Sequence, residues 1–295
     1  MSALKPSEVS DDRSQRTWQA LGEVADHPVV AAWRDQARKT RAPRRMPWAV
    51  AAGVAVVSVG ALSYWASHQK GVGVPLAGKV EKTVVVADGV LESFATARGE
   101  RRKALLADGS SITLNTSSRA TVDYRGNSRS VRLLEGEALF EVAKDSRRPF
   151  VVTAAGRQVV ALGTAFGVRL EGTAVQVTLV DGRVAVDKVE LAPGQQWHAE
   201  SAGQPVIRAV DVARATSWKN GWLVLNRDTV SDAVREVSRY TEERIICDDP
   251  RLAGLHVSGT FRTGEVESFL NALSEIHPLS VERSRPGELR LVWRE

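Results

Sequence analysis

Cysteine is nearly absent from this 295-residue chain, which contains Cys247 alone. A single cysteine cannot form an intramolecular disulfide, so the folded part must be stabilised by its apolar core. The five histidines show no i,i+4 pair, and the residue spacing of a zinc site is missing. The sequence also lacks G-x-S-x-G, a P-loop and a dinucleotide fingerprint. We therefore expect no metal, no cofactor and no turnover of an external substrate.

Charged side chains are missing from one long stretch, residues 46–67, which has no Asp, Glu, Lys or Arg. About 20 apolar residues in a helix cross a hydrocarbon core of about 30 Å. Trp48, Tyr64 and Trp65 lie near its ends, where aromatic residues favour the headgroup level. The stretch predicts one transmembrane helix; the alternatives are a cleaved signal peptide and a buried core helix.

The charge balance bears on topology. The formal net charge is +5, and residues 1–45 carry nine Lys or Arg against six Asp or Glu, a difference of +3. Basic residues favour the cytoplasmic side of a span. We predict that residues 1–45 lie in the cytoplasm and that the C-terminal region lies on the other side of the membrane. We predict no direct contact with nucleic acid, since the basic clusters lack interleaved aromatics.

Residues 1–45 place Trp18 and Leu21 at helical spacing, and a second short apolar face includes Trp33. So few residues cannot bury two tryptophans without a partner. The segment is either a membrane-surface helix pair or a docking element that folds on a cytoplasmic partner.

Beyond a predicted linker at 68–90, short strands alternate with turn residues. Asp108-Gly109 separates predicted strands at 103–106 and 112–114, and Glu135-Gly136 separates runs at 129–134 and 138–142. Turn signals recur about every 8 to 12 residues, which predicts an all-β module, a sandwich or solenoid-like, over residues 91–207.

The pattern changes again over residues 218–295. Helical periodicity predicts helices at 229–241 and 265–276, and short apolar runs between and after them predict strands. We expect a small α+β domain. The predicted fold class is thus a short cytoplasmic α segment, one transmembrane helix, an all-β module and a C-terminal α+β domain.

Several ordered motifs resemble the FecR-like anti-sigma regulator family. They include TARGERR at 96–102, Leu114-Asn115, VRLLEGEALFEV at 131–142, LGTAFGV at 162–168, W-x-x-G at 218–221 and Arg239-Tyr240. The C-terminal part is similar to the short secretin and TonB signalling fold. Each motif can also be explained structurally, as a turn or as part of the apolar core.

The resemblance implies an inner-membrane protein whose C-terminal region lies in the periplasm. It also implies two partners. An extracytoplasmic-function (ECF) sigma factor would bind the cytoplasmic segment, and the signalling domain of a TonB-dependent iron-chelate transporter would meet the periplasmic part. We predict Trp18, Leu21, Trp33, Trp218 and Trp222 as partner-binding residues, since aromatics often dominate interfaces. The alternative is a membrane-anchored, β-rich envelope binding module with no role in transcription.

Gly163-Thr164 lies in the LGTAFGV motif. Some members of the family cleave themselves at such a bond, which implies attack by the threonine hydroxyl on the preceding carbonyl. The same dipeptide recurs at Gly172-Thr173 and Gly259-Thr260. An ordinary β-turn therefore remains an alternative to self-cleavage.

Overall fold

The structure is a computed structural model that describes residues 84–86, 89–125, 128–200 and 203–294. The predicted sigma-binding segment, the predicted transmembrane helix at 46–67 and most of the predicted linker lie outside these residues. Trp18, Leu21 and Trp33 therefore lie outside them as well.

Fourteen strands form one large sheet. In chain order their bounds are β1 Val84–Val86, β2 Gly89–Ala95, β3 Arg102–Leu105, β4 Ser111–Leu114, β5 Arg119–Asp123, β6 Arg129–Glu141, β7 Phe150–Ala154, β8 Arg157–Ala161, β9 Ala165–Glu171, β10 Ala174–Asp181, β11 Val184–Val186, β12 Val189–Leu191, β13 Gln195–Ala199 and β14 Val206–Ala209. One half has the order β1-β2-β5-β6-β7-β8-β11-β12, and the other has the order β3-β4-β6-β9-β10-β13-β14.

Strand β6 belongs to both halves. Its first part pairs with β5 and with β7, the latter in parallel, and its second part pairs with β4 and β9. Gly136 lies where the pairing partners of β6 change, and its φ is 79°. A Cβ at this position would come 2.6 Å from the Ser117 carbonyl oxygen. The prediction of two strands separated by a turn is therefore wrong here. Glycine permits a bend, and the strand continues through it.

The two halves share one apolar core. Phe140 stacks on Phe166 with ring centroids 5.3 Å apart and meets Phe150 at 5.9 Å. All three rings are fully buried, and residues such as Val131 from the other half join the same cluster. Side chains alternate along strands such as β5 and the first part of β6, which places one face of each in the core, whereas all four residues of β14 are exposed.

The C-terminal residues form smaller elements. In chain order they are α1 Val212–Ala215, a 3₁₀ turn Ser217–Asn220, β15 Trp222–Thr229, α2 Val230–Ser238, β16 Arg244–Ile246, a second 3₁₀ turn Pro250–Gly254, β17 His256–Arg262, α3 Val266–Ile276, β18 Leu279–Arg285 and β19 Glu288–Trp293. Strands β15 and β17 pair with each other, and β16, β19 and β18 form a three-stranded sheet. The buried faces of α2 and α3 join a second apolar cluster that includes Phe269.

The predicted fold class is wrong. The described residues are mostly β-sheet, with 51% strand and 17% helix, and they include neither the expected transmembrane helix nor a separate α+β domain. Helices α2 and α3 have 9 and 11 residues and one buried face each, and no described helix is long and apolar enough to cross a membrane. The C-terminal elements also belong to the same compact unit as the large sheet. Polar contacts such as Asn115–Tyr240 and Glu137–Arg239 join the C-terminal elements to the large sheet, which is why they do not form a separate domain.

Candidate functional sites

Residues from separate sequence motifs meet where the C-terminal elements pack on the large sheet. The Asn115 side-chain amide donates a hydrogen bond to the Tyr240 hydroxyl at 2.8 Å. The Thr116 hydroxyl donates to the Arg239 carbonyl at 3.0 Å. Arg98 donates to the Thr241 carbonyl at 3.0 Å. We call this contact, formed by residues 98, 101, 115, 116, 137, 169, 218, 221, 236, 239 and 240, the junction.

Four charged side chains form the centre of the junction. Arg239 donates to Glu137 on β6 at 2.7 Å and to Glu236 at 2.5 Å. Arg169 on β9 donates to Glu236 at 2.8 Å. Glu236 and Arg239 reach these partners together because residues three apart share one face of α2. The Thr229 hydroxyl accepts from the Asp232 backbone and fixes where that helix begins.

The electrostatics of the junction favour its charged forms. Burial by itself would raise the pKa of Glu236, but the charges of Arg239 and Arg169 outweigh burial and lower that pKa. Burial raises the pKa of the Tyr240 hydroxyl, which stays protonated and accepts from Asn115. The junction is therefore a satisfied polar network between two apolar cores.

A second contact of the junction joins β3 to the 3₁₀ turn. Arg101 donates to the Trp218 carbonyl at 2.8 Å. Gly221 ends this turn with φ at 87°, and a Cβ there would come 2.8 Å from the Arg101 guanidinium. The glycine thus provides the space in which Arg101 lies.

The two predicted partner-binding tryptophans have different surroundings. Trp218 is 5% exposed and packs inside the protein. Trp222 is 36% exposed, and the Arg262 guanidinium lies 4.6 Å from its ring centroid. Only Trp222 presents its ring at the surface in this structure.

Gly163-Thr164 forms the connection between β8 and β9. Gly163 has φ at 142°, and a Cβ on it would come 2.8 Å from the Lys144 Cα. Thr164 is 7% exposed, and its carbonyl accepts from the Val142 backbone at 2.9 Å. Its hydroxyl is buried and has no hydrogen-bond partner among the described residues. Such a buried polar atom is uncommon in folded proteins.

Two neighbours enclose this connection. A Cβ on Gly182 would come 2.7 Å from the Thr164 methyl carbon and 3.3 Å from the Gly163 carbonyl oxygen. The Asp145 backbone donates to the Leu162 carbonyl at 3.1 Å. The connection therefore packs against Gly182 and against the segment that contains Lys144 and Asp145.

A buried ion pair that the sequence analysis missed fixes one of these segments. Arg129 and Asp108 are 1% and 2% exposed at their side chains, with nitrogen and oxygen 3.0 Å apart. Arg129 also donates to the carbonyls of Ala143, at 2.9 Å, and Arg148. The only sequence signal was Asp108 in the Asp-Gly turn, which gives no indication of its distant partner.

Comparisons with known proteins identify the central region. The family model described as FecR protein matches residues 92–185. Residues 92–185 match this family, and we call them the FecR domain. The predicted resemblance is confirmed, and the FecR domain includes the bend at Gly136, the Gly163-Thr164 connection and the sheet side of the junction.

Two crystal structures from Parabacteroides distasonis ATCC 8503 are similar to this chain, and both are described as a "putative anti-sigma factor". One has a TM-score of 0.59 and 25% identity, and the match covers 70% of this chain and 99% of the other. The second has a TM-score of 0.60 and 24% identity, with coverage of 69% and 99%. No curated protein matches the chain. Over the described residues, no group of three His, Cys, Asp or Glu side chains could hold a metal ion.

Proposed function

We propose that this chain regulates an ECF sigma factor. The observation that carries this proposal is the FecR domain, together with a likeness that extends over 70% of the chain to a protein described as a "putative anti-sigma factor". The junction supports it further, since motifs at 96–102, 114–115, 218–221 and 239–240 supply its contacts. In this proposal residues 1–45 bind the sigma factor.

Co-purification tests the sigma-factor partner. The full-length chain, tagged and solubilised in a mild detergent, should retain the ECF sigma factor encoded in a neighbouring reading frame. Replacing both Trp18 and Trp33 with Ala should reduce the retained amount at least about tenfold, because aromatic anchors contribute about 2 kcal/mol or more each. Trp48→Ala serves as the control. Undiminished capture by the double variant would remove these residues from the interface.

We propose that the signalling domain of a TonB-dependent transporter contacts the C-terminal elements. The exposed ring of Trp222 on β15 supports this site, since exposed aromatic side chains often anchor protein interfaces. Trp222→Ala should weaken binding of the purified signalling domain at least about fivefold in a calorimetric titration. Trp293→Ala is the control, and equal weakening by both variants would argue against a specific site.

We also propose self-cleavage at Gly163-Thr164, favoured by the buried Thr164 hydroxyl that lacks a described partner. Its Oγ1 would attack the Gly163 carbonyl carbon, and the Gly163–Thr164 C–N bond would break. The hydroxyl proton moves to the released Thr164 amine, leaving an ester. Water then hydrolyses the ester to a Gly163 carboxylate and restores the hydroxyl. The enclosed connection supplies proximity without a catalytic triad.

A further inference from the structure

A groove lies between the outer face of the FecR domain and the 3₁₀ turn Ser217–Asn220. Its volume is about 520 Å³, and its lining includes Thr113, Leu139, Lys103 and Glu141 from the sheet and Lys219 from the turn. Lys103 pairs with Thr113, and Thr113 pairs with Leu139, so these residues form one row across three strands. The neighbouring residues Ala104, Ile112 and Phe140 face the core, which places the groove on the opposite face.

The groove is basic. Three cationic side chains, Arg101, Lys103 and Lys219, line it with one anion, Glu141, which gives a formal charge of 3 − 1 = +2. The Arg102 guanidinium is on the other face of β3, 5.4 Å from the centroid of the Phe94 ring. Glu141 accepts hydrogen bonds from Lys103 and Ser111, both at 2.7 Å. The charge of Lys103 is therefore largely offset within the protein.

One wall of the groove is held in place before any ligand arrives. Arg101 donates to the Trp218 carbonyl, and it occupies space that only a glycine at 221 leaves open. Lys219 follows Trp218 in the same turn and is exposed. A guanidinium fixed in this way loses little freedom when it binds a carboxylate, and it can make two parallel hydrogen bonds to it.

The apolar features of the groove indicate the kind of ligand. Leu139 in the groove floor is almost completely buried, whereas Leu105, beside the groove on the same face of β3 as Lys103, is 75% exposed. Inorganic phosphate would make no use of this exposed leucine. A polypeptide with both acidic and apolar side chains matches the charge of the groove and the neighbouring leucine together.

We propose that this groove binds an acidic polypeptide segment of a partner protein, with Arg101 and Lys219 contacting its carboxylates and Leu105 contacting an apolar side chain. The groove can bind such a segment whether or not the chain controls a sigma factor. The site differs from the Trp222 surface, which lies on β15.

Fluorescence anisotropy with the full-length chain in detergent tests the groove. The probe is a fluorescein-labelled peptide of four glutamates and one leucine, and a peptide with glutamines in place of the glutamates is its control. Binding should weaken as salt rises, because exposed charges are screened. Arg101→Gln and Lys219→Gln should each weaken binding about two- to fivefold, as exposed ion pairs do, and the double variant should weaken it further. Arg132→Gln, which removes an exposed charge from the first part of β6, should leave binding unchanged.

The control peptide, the control variant and two other anionic ligands define the results that would contradict the proposal. Equal binding of the glutamine peptide, or equal weakening by Arg132→Gln, would overturn the proposal. Displacement of the probe by inorganic phosphate or by phosphatidylglycerol vesicles at equal charge concentration would assign the groove to anions in general instead. A thermal unfolding midpoint equal to that of wild type shows that Arg101→Gln leaves the protein folded. Lys219→Gln, at an exposed position outside the junction, gives the same test independently.

Discussion

Single residues fix the geometry around Gly163-Thr164 from a distance. Arg129, buried in the core, binds the carbonyls of Ala143 and Arg148, and the segment between them packs against Gly163. Burial by itself would raise the pKa of Asp108, but hydrogen bonds from Ser110, Arg129 and Tyr124 outweigh burial and lower it. The ion pair therefore stays charged, and the segment that covers Gly163 has a fixed position.

The Thr164 hydroxyl gives the first residue-scale prediction. Purified full-length wild type should yield fragments that end at Gly163 and begin at Thr164, detected by intact mass spectrometry. Thr164→Val keeps the side-chain shape without the hydroxyl and should stay uncut, whereas Thr164→Ser keeps the nucleophile and should still be cut. The expected loss of cleavage in the valine variant is complete.

The chain offers a matched control for this reaction. Thr173 follows Gly172 in an exposed turn between β9 and β10, where a Cβ on the glycine would meet nothing within 4 Å. Thr173→Val should leave the fragment pattern unchanged. A single uncut band from wild type, prepared with protease inhibitors present throughout, would contradict self-cleavage.

At the scale of elements, helix α2 connects the C-terminal elements to the FecR domain. Glu236 and Arg239 reach the sheet from its buried side, while Arg235 and Asp232 pair on its exposed side. Each of the two pairs joins a carboxylate to an arginine three residues later, and the two pairs differ in burial. The comparison separates the effect of burial from the effect of charge.

Arg239→Met should lower the free energy of unfolding by about 2–3 kcal/mol, since it leaves Glu137 and Glu236 without their shared cation. Arg235→Met should change it by less than about 1 kcal/mol, because that pair is exposed. Urea unfolding of both variants measures the difference. Equal effects would mean that the junction contributes no more than a surface pair.

The Glu236–Arg239 pair predicts that stability depends on pH. The pKa of Glu236 is lowered in the folded state, so its stabilising effect is complete above the unfolded pKa of about 4.3 and is lost as pH falls through the folded value. The difference between wild type and Arg239→Met should therefore shrink below about pH 4. An undiminished difference in acid would show that Glu236 is not the partner that matters.

Local sequence signals predicted most elements but not their assembly. Asp108-Gly109 predicted the hairpin of β3 and β4, and helical periodicity predicted α2 and α3 to within a few residues. The hydrophobic periodicity of a helix and the residue types of a turn are properties of neighbouring residues, so the sequence alone predicts them. The Arg129–Asp108 pair and the Glu137–Arg239 contact join residues 21 and 102 positions apart, and no local pattern encodes them. The family resemblance marks the residues at 114–115 and 239–240, but it does not predict that they meet.

At the scale of the whole molecule, the proposed function needs two partners that bind different parts of one chain. The sigma-factor segment is predicted at 1–45, whereas the Trp222 surface and the basic groove lie in the FecR domain and the elements after it. If the partners occupy different compartments, the N-terminus and the C-terminal elements must do so as well. The basic residues before residue 46 favour a cytoplasmic N-terminus.

We therefore predict that an alkaline phosphatase reporter fused after Trp293 is active in cells, because this enzyme folds only where its disulfides can form. The same reporter fused before Met1 should be inactive, and it serves as the matched control. Cys247 is the only cysteine of the chain, so the chain itself adds no competing disulfide of its own. Fusions are compared at equal expression, measured by immunoblot. An inactive reporter after Trp293, or an active one before Met1, would overturn the predicted placement of the C-terminal region in the periplasm.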